Sequence, residues 1–123
     1  MEEILPHLEG VFYIATVEED QPHVRPFDAA VIREGKLYIG TNSNKKVYQQ
    51  ILKNPKVEIF EMGQGMLRMT AEAYPVEDKE ENLKIYEAMG KDPKKEYAAA
   101  LELRKIRANV TDAMSGETKE IIS

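Results

Sequence analysis

Cysteine and tryptophan are both absent from this chain of 123 residues, and histidine occurs only twice. The lack of cysteine excludes disulfides, thiolate metal sites and thiol nucleophiles together. His7 and His23 have no carboxylate at ligand spacing, so no metal site is expected. Serine is scarce: Ser43, Ser115 and Ser123 are the whole set, and none lies in a nucleophile-elbow pattern. Positive charge is in deficit too. Twenty-two acids against 17 bases leave a net charge of −5, which argues against nucleic acid as the main partner. No apolar stretch is long enough to cross a bilayer, and the start MEEILPHLEG lacks the charged-then-apolar order of a signal peptide. The expectation is a cytoplasmic domain without membrane contact.

What is present is a globular balance, with 42% apolar and 32% charged residues. At this length a single domain over residues 1–123 buries roughly two-thirds of its unfolded surface, enough for a core without staples. Ile4, Leu5 and Leu8 at helical spacing predict a short helix over Met1–Leu8. Val11–Val17 (VFYIATV) is rich in β-branched and aromatic residues and predicts a buried strand, apolar on both faces. A second strand is expected over His23–Arg33, turning at Glu34-Gly35-Lys36 into Leu37–Thr41. Val47, Tyr48, Ile51 and Leu52 form a helical stripe that Asn54-Pro55 ends. Strands follow at Lys56–Glu61 and Met66–Val76, separated by a turn at Gly63-Gln64-Gly65. Asp78–Met89 predicts a helix with Leu83, Tyr86 and Met89 inward, and Leu101–Ala113 and Thr118–Ile122 predict two final strands. Six or seven strands with short connections and three helices favour an antiparallel barrel or rolled sheet over a parallel fold.

Two stretches carry the chemistry. In Thr41-Asn42-Ser43-Asn44-Lys45-Lys46, a strand passes into a helix for which Ser43 or Asn44 is a natural N-cap. Two lysines in the first turn face the positive end of the helix dipole, and a bound anion such as phosphate relieves that conflict. The alternative is a solvated helix start whose lysines point into water. In His23-Val24-Arg25-Pro26-Phe27-Asp28-Ala29-Ala30, Pro26 marks an edge, a bulge or a bend. Alternation puts Arg25 and Phe27 on one face, continued by Ala29, an arrangement suited to a flat anionic ligand. The alternative is an arginine paired with a neighbouring acid. Met62, Met66 and Met69 are read as core filling rather than pocket lining, and Tyr13 and Tyr38 as core or interface residues rather than catalytic acids.

The ordered series of these pieces resembles the FMN-binding split-barrel family that includes pyridoxamine 5′-phosphate oxidase. The resemblance is carried by Phe12–Thr16, Gln21–Phe27, Gly35–Tyr38, Thr41-Asn42, Lys45-Lys46, Gln50-Ile51 and Asn54–Glu58. It covers roughly the first half of the chain and is strongest to short, nitroimidazole-reductase-like members. It implies a mainly β fold, a six-stranded antiparallel split barrel, that dimerises with FMN in clefts at the interface. It also implies a phosphate site at Arg25, Lys45 and Lys46, with Thr41 and Asn42 as neutral donors. Pro26, Phe27 and Asp28 would run beside the flavin. True pyridoxamine phosphate oxidases differ by a C-terminal arginine–histidine motif and a tryptophan near the flavin, both missing here. Their glutamine and second basic residue fall near Met66 and Ala30. The resemblance thus implies an FMN-dependent oxidoreductase acting on a small oxidised substrate other than vitamin B6. Its competitor is a non-catalytic carrier or sensor of flavin, haem or deazaflavin on the same barrel. No catalytic acid or base is assigned.

Overall fold

The structure, a computed structural model, describes residues 1–63 and 65–122. A 3₁₀ turn at Leu5–Leu8 leads into the strands β1 (Phe12–Glu18), β2 (Gln21–Phe27), β3 (Ala30–Arg33) and β4 (Lys36–Asn42). Helix α1 (Lys46–Lys53) follows, then β5 (Lys56–Glu61), β6 (Met66–Pro75), α2 (Lys79–Ala88), β7 (Ala98–Thr111) and β8 (Thr118–Ile122). All strand pairs are antiparallel, in the order β2-β1-β5-β6-β7-β4-β3, with β8 also paired to β7.

The mainly β, antiparallel expectation holds, but the count changes. Eight strands replace the six of the expected barrel, and the sheet is not closed. One reason lies in the stretch expected as a single strand, His23–Arg33. Pro22 and Pro26 offer no N–H to a ladder, so β2 pairs only with β1 and forms one edge of the sheet. The chain then leaves the ladder at Asp28-Ala29 and restarts as β3, which pairs only with β4 and forms the other edge. The N-terminal helix is also shorter than expected, because Pro6 suits only the first turn and the chain closes a single 3₁₀ turn there. The turn at Gly63-Gln64-Gly65 includes Gln64, which lies outside the described residues.

Strand alternation builds the core. Phe12 and Ile14 of β1, Ile59 of β5, Leu67 and Met69 of β6 and Leu101 of β7 are buried on the inner face, with Val47 and Ile51 of α1 packed over them. The fully buried aliphatic side chains contribute roughly 1.5–3 kcal/mol each. Helix α2 starts on Asp78, whose carboxylate accepts the Glu81 N–H at 3.0 Å. Its inner face is Ile85 and Tyr86, whereas Leu83 points outward, contrary to the stripe expected. Gly40 of β4 lets this helix dock: a Cβ there would stand 2.8 Å from Met89 Sδ and 3.2 Å from the Ala29 Cβ.

In β7 the phase of alternation reverses. Leu101 and Leu103 face inward, then Lys105 adopts φ 53° at a register shift opposite Thr70 and Glu72, after which Ala108 is the buried position. The extra residue of this bulge turns Arg107 and Asn109 to the outer face. No helix among the described residues is long and apolar enough to cross a membrane.

Candidate functional site

Arg25 points inward from β2, between β1 and α1. Its Nη1 donates to Thr16 Oγ1 at 2.8 Å and, more weakly, to the carbonyls of Ile14 (3.3 Å) and His23 (3.4 Å). Its Nη2 donates to Gln50 Oε1 at 2.6 Å, and the Thr16 hydroxyl donates to that same oxygen. Thr16 and Gln50 are both buried. No carboxylate among the described residues lies within 4.0 Å of the guanidinium. The expected alternative of an Arg25–acid pair is therefore not what the fold builds. Burial alone lowers the Arg25 pKa from its ordinary value, because nothing nearby offsets the lost hydration of the cation. The result is a partly buried positive charge held rigidly by neutral groups.

Gln50 lies one helical turn beyond Lys46 on α1, so the arginine clamp is joined to that helix in its second turn. There the structure corrects the expected cap. Lys45, in extended conformation, occupies the N-cap position, and neither Ser43 nor Asn44 caps the first turn. The Tyr48 N–H already bonds the Lys45 carbonyl at 3.2 Å, no side chain caps the first turn, and Lys45 and Lys46 are exposed beside it. An uncompensated guanidinium and an uncapped helix start flanked by lysines together fit a phosphate-bearing ligand.

The other expected positions separate. Thr41 and Asn42 end β4 immediately before this helix, in register with Ala99 and Ala98 of β7. Thr41 is buried, and the Asn42 Oδ1 accepts from the Tyr86 hydroxyl at 3.3 Å. Burial raises the Tyr86 pKa, and Lys91 partly opposes the shift. Phe27 sends its side chain into the core, with its ring tilted against that of Phe12 at 6.0 Å between centroids. Pro26 faces outward on β2. Asp28 is exposed and pairs with Lys91 at 3.1 Å. Thr41 and Asn42 thus share the β4–α1 junction with Lys45 and Lys46, Arg25 reaches the same helix through Gln50, and Phe27 is a core residue.

Two constellations escaped the sequence reading. Thr16 occupies an inward position of β1 alternating with Phe12 and Ile14, and Gln50 adjoins the buried Ile51. A polar residue on an otherwise apolar face was the available signal for each. The other is His7, whose Nδ1 meets Glu61 Oε2 at 2.9 Å with both side chains nearly buried, while the Gly63 N–H donates to the second carboxylate oxygen. Their separation of 54 positions hid this pair. The methionine expectation divides: Met69 is core and Met62 is exposed. Among the described residues no group of three or more His, Asp or Glu side chains is placed to hold a metal ion.

The family model for pyridoxamine 5′-phosphate oxidase matches residues 1–113. A NimC/NimA family protein from Clostridium acetobutylicum is 35% identical in sequence, with 98% of this chain and 93% of that chain covered and a TM-score of 0.84. General stress protein 26 from Bacillus anthracis is 18% identical, over 98% of this chain and 97% of that one, with a TM-score of 0.67. A protein from Clostridium acetobutylicum related to general stress protein 26 is 14% identical, over 98% and 91%, with a TM-score of 0.72. The last two likenesses bear on the fold alone. No curated protein sequence matches the chain.

Proposed function

The chain belongs to the pyridoxamine 5′-phosphate oxidase family, and from that membership we propose that it is an FMN-binding homodimer that reduces a small oxidised substrate. The observation that carries this reading is Arg25, a partly buried cation with only neutral partners, tied through Gln50 to a helix whose start no side chain caps. A phosphate monoester supplies the missing negative charge. In this reading Arg25, Lys45 and Lys46 neutralise it, N–H groups of the first turn of α1 donate to its oxygens, and Thr41 and Asn42 give neutral hydrogen bonds. Thr16 and Gln50 touch no ligand. They position the Arg25 guanidinium, so that little side-chain entropy is lost when the anion arrives.

Bound FMN supplies the redox chemistry, and the protein supplies binding, orientation and electrostatics. The chain has no tryptophan and no histidine beyond His23, so the residues that would mark vitamin B6 oxidation are missing. A homodimer is favoured by the outer face of β1 and β2. Tyr13 and Val24 are 47% and 69% exposed there, beside an exposed Val11 and the outward prolines. Contiguous apolar surface of this kind marks an interface rather than a solvated sheet face.

The deciding experiment is the visible spectrum of the purified protein, loaded with FMN and freed of excess. A retained flavin band in the parent protein, lost in the Arg25→Ala/Lys46→Ala double variant while the fold persists, is the expected result. Unchanged flavin affinity in that variant removes the site assignment. Stoichiometric FMN with no oxidation of reduced nicotinamide, with either a nitroaromatic or a quinone acceptor, would make the protein a flavin carrier.

A further inference from the structure

We propose that the homodimer interface continues from β1 and β2 over the outer face of β5, β6, β7 and β8, where Arg68 and Arg107 of each copy answer Glu58 and Glu120 of the other. The inference deepens the homodimer part of the reading above and rests on it, but not on FMN. The chain has five arginines. Arg33 and Arg104 meet carboxylates at 3.6 and 3.1 Å, and Arg25 is held by Thr16 and Gln50. Arg68 and Arg107 have no carboxylate among the described residues within 4.0 Å, and Glu58 and Glu120 have no cation within that distance. All four are exposed, and all four line one depression of about 280 Å³. Unanswered charges of both signs therefore share one face.

Strand register lays that face out in two rows. One runs Pro26, Tyr13, Phe60, Arg68, Asn109, Glu120 from β2 across to β8. The next runs Val24, Ala15, Glu58, Thr70, Arg107, and it is the bulge at Lys105 that brings Arg107 to this side. Each row is apolar on β2 and β1 and polar on β6 and β7. A groove of about 640 Å³ runs from Ala15, Val17 and Pro22 to Glu58, Thr70 and Arg107, so the apolar and charged halves form one continuous surface.

Size and symmetry both assign that surface to a second copy. The strip of β2, β1 and β5, at about 4.8 Å between strands and about 3.3 Å per residue, is roughly 10 Å across and about 23 Å long. A stable interface buries roughly 800 Å² on each partner, so the apolar strip needs the neighbouring strands to reach it. In a two-fold dimer the same patch meets itself, and a patch whose charges are to be answered must carry both signs. Two arginines and two glutamates meet that condition. They also form the polar flank that accompanies an apolar interface core. A small anion is disfavoured here, because Glu58 and Glu120 repel it from the arginines.

The test is sedimentation equilibrium of the full chain and of two charge-reversed variants, Arg68→Glu/Arg107→Glu and Glu58→Arg/Glu120→Arg, with far-UV circular dichroism to follow the fold. The expected result is a dimeric parent and, in each variant alone, dimerisation about a hundredfold weaker, because the face then meets its own charge. An equimolar mixture of the two variants should restore the dimer, which unfolded chains could not do. A monomeric parent overturns the homodimer reading and this inference together. A dimeric parent whose variants dimerise as tightly as it does overturns the inference alone and leaves the interface to β1 and β2. A mixture that stays monomeric also overturns it, since the variants would then have failed for a reason other than charge.

Discussion

Two polar constellations lie half-hidden in this fold, and they are built on opposite plans. At His7 and Glu61 a base meets a carboxylate at 2.9 Å, both side chains are close to fully buried, and the Gly63 N–H takes up the remaining oxygen. At Arg25 a cation of equal cost to bury meets a threonine, a glutamine and two carbonyls, and no counter-charge. The first is complete within the chain and ties the N-terminal turn to the end of β5. The second satisfies donors yet leaves the charge open. Burying a charge without a partner is expensive, and an anion from outside would lower that cost at Arg25, as the proposed phosphate site requires. The difference between the two places lies in their partners: His7 and Glu61 answer each other within the chain, whereas the Arg25 cation has neutral partners alone.

The widest way to break this comparison is at Glu61. Glu61→Ala leaves His7 buried without its hydrogen-bond partner and the Gly63 N–H without its acceptor, and should cost about 2 kcal/mol of unfolding free energy. Urea denaturation measures it, and FMN affinity should not move. A stable Glu61→Ala protein with weakened FMN binding would reverse the roles of the two constellations. Next is Arg25→Ala. Removing the cation should weaken FMN about thirtyfold by equilibrium fluorescence, in line with a charged hydrogen bond of about 2 kcal/mol. Denaturant stability should fall far less than for Glu61→Ala, because the arginine is itself costly to bury.

Gln50→Ala sharpens the same contrast. It leaves every ligand-facing group in place but frees the guanidinium, so FMN affinity should drop about tenfold, less than for Arg25→Ala. Gln50→Glu distinguishes positioning from charge: by supplying a counter-ion it should close the site, stabilising the free protein while still weakening FMN.

The smallest effect belongs to Asp112 at the exposed β7–β8 turn. The Ser115 and Met114 N–H groups donate to its carboxylate and hold its pKa below the ordinary 3.8. A lowered folded pKa means the stabilisation is complete above 3.8 and disappears as pH falls through the folded value. The amide resonances of Met114 and Ser115 should therefore shift only below pH 3.8, and not at all in Asp112→Asn. A transition at or above 3.8 in the parent protein would remove this account of the turn.

Much of this organisation was legible along the chain. The dense β-branched run of β1, the Glu34-Gly35-Lys36 turn and the stripe of α1 follow from local periodicity and turn chemistry, and each element is where those rules put it. Arg25, Lys45 and Lys46 stood out because cations beside a helix start and within a proline-broken strand conflict with local rules. The errors have equally physical origins. Phe27 shares a face with Arg25 and was placed beside the ligand, but that face is the core side of β2, and an aromatic ring fills the interior more readily than a cleft. Asp28, expected from the resemblance to run beside the flavin, is exposed and pairs with Lys91 from beyond α2.

Sequence alone determined which face of β1 and α1 is apolar, where the Glu34-Gly35-Lys36 turn falls, and that Pro26 interrupts its strand. Those are properties of a few neighbouring residues: pleat and helix period, turn preference, and a missing N–H. Only the tertiary structure decided which strands become the two open edges, that Gln50 and Thr16 converge on Arg25, that His7 finds Glu61, and that a bulge at Lys105 turns Arg107 to the outer face beside Arg68. Each of these depends on register between segments far apart in the chain, and a shift of one residue reverses the face on which every following side chain appears.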